Sequence, residues 1–258
     1  QDSSPLVLFV GQVGREMMER EAFQEMDFRR FFGQVSKWSA EIQDPGRIPE
    51  LVSQAFHVAT SGRPGPVVLS LPEDMLRELS GVGDAKAYRG VQAHPGPDDM
   101  AQLREMLAAA KRPVMMLGGG TWTPKAVADI TAFAEANNLP VSCAFRNQDR
   151  FDNYHENYVG EVGIGSNPAL IARLKETDLL LAVGPRLGEQ TTQGYSLLDI
   201  PVPQLPMVHI HPDAGELGRV YQADLPINAG MEAFAAAARA MAPVDSAAWA
   251  DSVGAARR

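Results

Sequence analysis

Strand-sized apolar runs alternate with segments of helical period along most of this chain. That alternation restricts the fold more than any other feature. Val114 to Leu117, Val141 to Ala144, Leu179 to Val183, Val208 to His211 and Leu225 to Asn228 are each four or five residues long. Runs this short, with few polar interruptions, fit strands buried on both faces. Between them lie helical stretches with legible ends. Asp98-Asp99 caps a helix that runs through Ala110, and Pro124 to Asn137 has proline near its start. Asn167 stands as N-cap with Pro168 at the first helical position of Ala169 to Lys175, and Met231 to Met241 is alanine-rich. Strand, helix and strand in steady order predict an α/β fold, a doubly wound Rossmann-like parallel sheet with helices on both faces.

A smaller α/β segment precedes this. Leu6 to Val10 reads as a buried strand that stops at Gly11, and Glu21 to Phe32 reads as helical. Arg47 to Thr60 is a clearer helix, because Ile48, Leu51, Val52, Ala55, Phe56 and Ala59 recur at helical spacing before Ser61-Gly62. Pro66 to Leu71 is a second buried strand, ended by Pro72. Residues 78–97 lack periodicity and are rich in glycine and proline, so they read as a linker. The expected organisation is a partial α/β domain over 1–77, a linker over 78–97, a central domain over 98–243 and the start of another linker over 244–258. The chain opens on Gln1-Asp2-Ser3-Ser4-Pro5 directly before a strand and closes on a half-finished helical pattern from Ala247. Both ends are read as internal to a larger protein.

Charge and cysteine content narrow the partners. The formal net charge is -9, from 32 acids against 23 bases. That balance disfavours a nucleic-acid partner, which needs a basic footprint. A lone cysteine, Cys143, permits no disulfide framework and fits a cytoplasmic setting. No run approaches the roughly 20 apolar residues that span a bilayer.

Three loops at strand ends carry the chemistry. Gly118-Gly119-Gly120 lies between a strand and a helix, where glycine lets a phosphate or ribose approach backbone N–H groups. The spacing is not the dinucleotide fingerprint, and a turn requirement explains the glycines equally well. Gly184-Pro185-Arg186 follows a strand at the same sheet edge, and its arginine can fork onto a phosphate or form a surface ion pair. Val159 to Ser166, with Gly160, Gly163 and Gly165, reads as a third flexible loop. Together they predict a nucleotide-sized crevice. His209 and His211 point to one face of a strand, but without further ligands a metal site is disfavoured. His57 reads as a structural helix residue, His155 has no assigned role, and Cys143 reads as an inert small hydrophobe. Periodicity places Phe23 in a core and Gln24 on a surface.

Several motifs in order carry a resemblance. They are Leu6 to Val13, Glu21 to Glu25 (EAFQE), Val35 to Trp38, Ser61 to Pro66 (SGRPGP) and Leu71 to Asp74. Lys111 to Pro113, Gly118 to Gly120, Asp178 to Arg186 (DLLLAVGPR) and Val208 to Leu217 (VHIHPDAGEL) continue it. The chain resembles thiamine-diphosphate enzymes of the acetolactate synthase type over nearly its whole length. The resemblance implies that 1–77 is the second half of the pyrimidine-binding domain and 98–243 the DHS-like central domain. It implies 2-keto acid substrates, thiamine diphosphate with Mg2+, a central domain that holds FAD, an ADP-like nucleotide or nothing, and a homodimer or homotetramer. Phe23, Gln24 and Lys37 match the active-site wall, and Gly118, Gly119, Gly120, Arg186 and Asp213 match cofactor-contacting positions. The family's catalytic glutamate and its metal and diphosphate motif fall outside these residues, so the chain alone is expected to be inactive.

Three stretches depart from the synthase pattern. Phe-Asp-Asp-Arg is replaced by Leu187-Gly188-Glu189-Gln190, Thr-Leu-Met-Gly by Ala144-Phe145-Arg146-Asn147, and Ile-Asp-Ile-Asp by His209-Ile210-His211-Pro212-Asp213. All fall on the FAD side. They leave open a lyase of the oxalyl-CoA or benzoylformate decarboxylase type, and a stand-alone nucleotide-binding or assembly module.

Overall fold

The structure, a computed structural model, describes residues 2–250. The half-finished helix read from Ala247 lies, from residue 251 onward, outside the described residues. The chain divides into two compact units, Gln1–Val91 and Gln92–Arg258. No described helix is long and apolar enough to cross a membrane.

In the first unit, β1 (Leu6–Gln12), α1 (Phe28–Phe32), β2 (Trp38–Glu41), α2 (Ile48–Thr60) and β3 (Pro66–Pro72) follow in sequence. The three strands form a parallel sheet in the order β1-β3-β2. The apolar stripe of α2 buries Leu51, Ala55 and Ala59 in a small core with Val67, Leu69, Ile42 and Met75. A stripe repeating every three or four residues is what an amphipathic helix needs to cover a sheet.

Three readings of this unit are corrected. β1 is an edge strand, not a buried one: Leu6 is 53% exposed and Phe9 50%, with Leu8 also open. Its apolar run lacks a covering layer. The helix read over Glu21 to Phe32 shrinks to α1, because the backbone turns at positive φ at Glu19, Glu21 and Gln24. The Glu25 carboxylate, accepting from the Glu19 and Ala22 N–H groups, fixes that turn and competes with helix formation. β2 went unread because the alternation in Trp-Ser-Ala-Glu spans only four residues and contains no apolar run.

The second unit contains α3 (Pro97–Ala109), β4 (Pro113–Leu117), α4 (Pro124–Ala136), β5 (Val141–Ala144) and β6 (Tyr158–Val162). It continues through α5 (Pro168–Glu176), β7 (Leu179–Val183), β8 (Met207–His211), β9 (Leu225–Asn228) and α6 (Met231–Ala240). All six strands are parallel, in the order β6-β5-β4-β7-β8-β9. This is the doubly wound sheet that the alternation predicts.

Period-2 alternation splits the strands between two cores. Met115, Leu117, Leu181, Val183, Val208 and Ile210 pack with α3, α4 and α6 through Leu103, Phe133 and Phe234. Val114, Met116, Leu180, Ala182 and Met207 pack on the opposite face with Leu170 and Leu174 of α5. Truncating a residue such as Phe133 to alanine costs about 3–5 kcal/mol in transfer and cavity energy. Asp129, buried on α4, accepts from Arg239 Nη1 of α6 at 2.6 Å and from Lys125 Nζ at 2.5 Å. Those two bonds, led by Lys125, hold its carboxyl below the usual aspartate range.

Two local readings change here as well. Asp99 is not the helix cap; it sits at the third helical position and its carboxylate accepts from the Gly96 N–H at 3.1 Å. The stretch from Val159 is not all loop, since β6 occupies 158–162. Gly160, at φ +117°, opposes Ser142 where the β5–β6 register shifts, the usual place for glycine at a bulge.

An open β1 edge with exposed Leu6, Leu8 and Phe9 is a template for pairing with another chain. The 258-residue chain is therefore expected to self-associate, and Leu8→Lys with Phe9→Lys to shift it toward monomer. Sedimentation velocity showing a clean wild-type monomer at high concentration contradicts this.

Candidate functional site

The sheet order reverses between β4 and β7: from β4 the chain winds to β5 and β6, from β7 to β8 and β9. Crevices for ligands open at such a switch point, outside the carboxyl ends of the strands. Gly118–Gly120 and Gly184–Arg186 are the loops that stand there.

The glycines are required first by each other. A Cβ on Gly119 would lie 2.1 Å from the Gly184 carbonyl oxygen, and one on Gly184 would lie 2.3 Å from the Gly118 oxygen. Both residues have positive φ, +74° and +89°. The two loops thus press backbone against backbone, and no side chain fits between them. The Trp122 indole N–H donates to the Gly118 oxygen at 2.8 Å, and Thr123 caps α4 by accepting from the Ala126 N–H. That leaves the α4 N-terminus beside the loops.

Arg186 is held by an acid that sequence reading missed. Its Nε lies 3.7 Å from Glu216 Oε2, and Glu216 Oε1 accepts from Arg219 at 2.9 Å. Glu216 is buried, so two guanidinium groups compensate its charge. The acid stands inside the quoted His-Pro-Asp-Ala-Gly-Glu-Leu stretch, but only the fold shows that it faces the loop after β7. Asp213 is turned into its own loop, its carboxylate accepting from the Gly215 N–H at 2.9 Å.

His209 and His211 do share the α5 face of β8, and both are buried. Their rings stand 6.2 Å apart. Burial pushes His209 down to about 4, so at neutral pH it is uncharged, with Nε2 donating to the Pro185 oxygen at 2.9 Å. His211 Nδ1 accepts from the Asp213 N–H at 3.0 Å. Both histidines therefore brace the loops around Arg186. Among the described residues, no group of three or more His, Cys, Asp or Glu could hold a metal ion. Burial pushes the Cys143 thiol up to about 12, which keeps it from acting as a nucleophile.

In the first unit, Phe23 is not core: it is 89% exposed at the tip of the turn. Gln24 beside it adopts a left-handed backbone at φ +69°. Non-glycine residues in that region cost of order 1–3 kcal/mol each and concentrate at functional loops. The Glu25 carboxylate, held below its usual range chiefly by the Glu19 N–H, secures the turn. Gln12, at the end of β1, donates to the Met26 oxygen at 2.7 Å and to Glu41 at 3.3 Å, while Ser70 donates to Glu41 at 3.1 Å. This polar cluster at the ends of three strands anchors the loop that displays Phe23 and Gln24, and periodicity gave no sign of it. Lys37 Nζ donates to the Ser61 oxygen at 2.6 Å. His57, read as structural, is exposed on α2.

The family model for the thiamine pyrophosphate enzyme, central domain, matches residues 100–238. The acetolactate synthase large subunit of Corynebacterium glutamicum is 33% identical over 231 residues, covering 88% of this chain and 36% of that protein. A probable acetolactate synthase large subunit of Methanocaldococcus jannaschii is 31% identical over 237 residues, with 88% and 39% covered. Acetolactate synthase isozyme 2 large subunit of Escherichia coli is 30% identical over 237 residues, with 90% and 42% covered. The chain thus spans well under half the length of these relatives.

The glycine contact yields a direct test. Gly119→Ala combines an unfavourable left-handed alanine with a clash, and should destabilise the fold by about 2–5 kcal/mol. Urea unfolding followed by far-ultraviolet circular dichroism measures it; a loss below about 0.5 kcal/mol would show that the loops do not press together.

Proposed function

The chain belongs to the thiamine pyrophosphate enzyme family, whose central domain it carries, and we propose from that premise that it is part of an acetolactate-synthase-like enzyme acting on 2-keto acids. The observation that carries the reading is the identity of 30–33% to three acetolactate synthase subunits across both units of the chain.

In this reading, thiamine diphosphate supplies the electron sink that lets a carbon–carbon bond beside a carbonyl break or form. The chain's own residues bind and shield. Phe23, carried outward on its strained turn, forms an apolar wall that excludes water from the reacting carbons. The Gln24 amide orients the substrate by hydrogen bonding, and Lys37, tethered to Ser61, adds a positive charge on the same unit. By resemblance to the family, Mg2+ and the cofactor's diphosphate are assigned to residues outside this chain.

The central crevice fits an ADP-like nucleotide or FAD under two conditions. The loop backbone at Gly118–Gly120 and the α4 N-terminus suit a phosphate. Arg186 would join them only by exchanging Glu216 for the ligand, and Asp213 would reach a ribose only by releasing Gly215. The parent is proposed to be a cytoplasmic homodimer or homotetramer.

The full-length protein, supplied with thiamine diphosphate, Mg2+ and pyruvate, is expected to release carbon dioxide and form acetolactate, while the purified 258-residue chain is expected to form none. A full-length protein that leaves pyruvate and related 2-keto acids untouched contradicts the substrate class. Turnover by the chain alone contradicts the incomplete site.

A further inference from the structure

A cavity of about 800 Å3 opens in the first unit, between α2 and residues 86–89. Ser53 and His57 line one wall, four residues apart and therefore on one stripe of the helix. Lys86, Ala87, Tyr88 and Arg89 line the other. This second wall belongs to no regular element, yet it is pinned. The Tyr88 hydroxyl shares a hydrogen bond with Thr60 Oγ1 at the end of α2. The Tyr88 ring stacks on Phe56 at 6.0 Å and meets the His57 ring edge-on at 4.8 Å. An otherwise unstructured segment is thereby held against the helix with its side chains lining a hollow.

The chemistry of the walls is lopsided. Ala87 and the Tyr88 ring give an apolar floor, whereas Lys86 and Arg89 are basic and no lining residue is a carboxylate. Neither Lys86 nor Arg89 makes an ion pair among the described residues. On a chain of net charge -9, bases gathered around a hollow without acids make a local attractor for anions. The size falls within the roughly 300–1,000 Å3 of small-molecule sites, which pair apolar walls with a few directed polar groups.

We propose that this cleft binds a small molecule in which a flat apolar body carries a carboxylate or phosphate. The body lies against Tyr88 and Ala87. The anion meets Lys86 and the fork of Arg89, with Ser53 Oγ as a further donor. The proposal stands apart from the 2-keto acid reading and uses none of its residues.

Phenyl phosphate is the probe, with inorganic phosphate and phenol in parallel, titrated into the 15N-labelled 258-residue chain and followed by amide resonances. Phenyl phosphate is expected to shift Ser53, His57 and 86–89 saturably, and to bind about tenfold or more tightly than either half alone. Lys86→Glu with Arg89→Glu should weaken it by about tenfold or more, and Ser53→Trp, which fills the hollow, should abolish it, both leaving the β4–β9 resonances in place. Saturation elsewhere, indifference to charge reversal, or inorganic phosphate binding as tightly as phenyl phosphate would overturn the proposal.

Discussion

A parallel sheet has no face to turn to water, because its crossover connections run over both sides and its strands are apolar throughout. The second unit meets that demand. β4, β5, β7 and β8 are buried along their whole lengths, with α3, α4 and α6 on one side and α5 with the long β7–β8 connection on the other. The first unit does not meet it. α2 covers its small core, but β1 leaves Leu6, Leu8 and Phe9 open. The same rule thus leaves one unit covered on both faces of its sheet and the other with an open apolar strand.

Double winding also decides where chemistry can sit. Reversal of strand order between β4 and β7 brings two loops to one point, and their backbones can meet only as glycine. Around that contact several polar groups are paired, His209 Nε2 with the Pro185 oxygen and Glu216 with Arg186 and Arg219, while His209 Nδ1 finds no hydrogen-bond partner among the described residues. An anion arriving there would meet the Gly118–Gly120 backbone directly and would reach Arg186 only in competition with Glu216. In the first unit, a comparable anchoring by Gln12, Glu41 and Ser70 frees the loop beyond it to project Phe23.

Much of the second unit was legible because its signals are local. Asn167-Pro168 marks a helix start by capping and fixed φ, and Leu179 to Val183 is apolar enough to name a buried strand within its exact bounds. The failures have a common cause in long-range partners. β2 is four residues long, too short for its alternation to stand out, and is held by pairing with β3. β6 carries a bulged glycine that reads locally as loop. Phe23 reads as core by period, whereas Glu25, two residues on, closes a turn that turns it out. The site was half legible: the glycine loops and Arg186 could be seen, but Glu216, which determines what Arg186 can do, is brought there only by the fold.

The central claim is that the six-stranded sheet is a self-sufficient central domain, while the three-stranded sheet lacks part of its cover. Native-state hydrogen exchange on the chain tests it most directly, since protection reports the free energy of opening segment by segment. The account predicts amides of β4, β7 and β8 protected about 100-fold or more beyond those of β1 and β3, with the two sheets opening separately. Equal protection in both sheets, lost in one cooperative step, would contradict it.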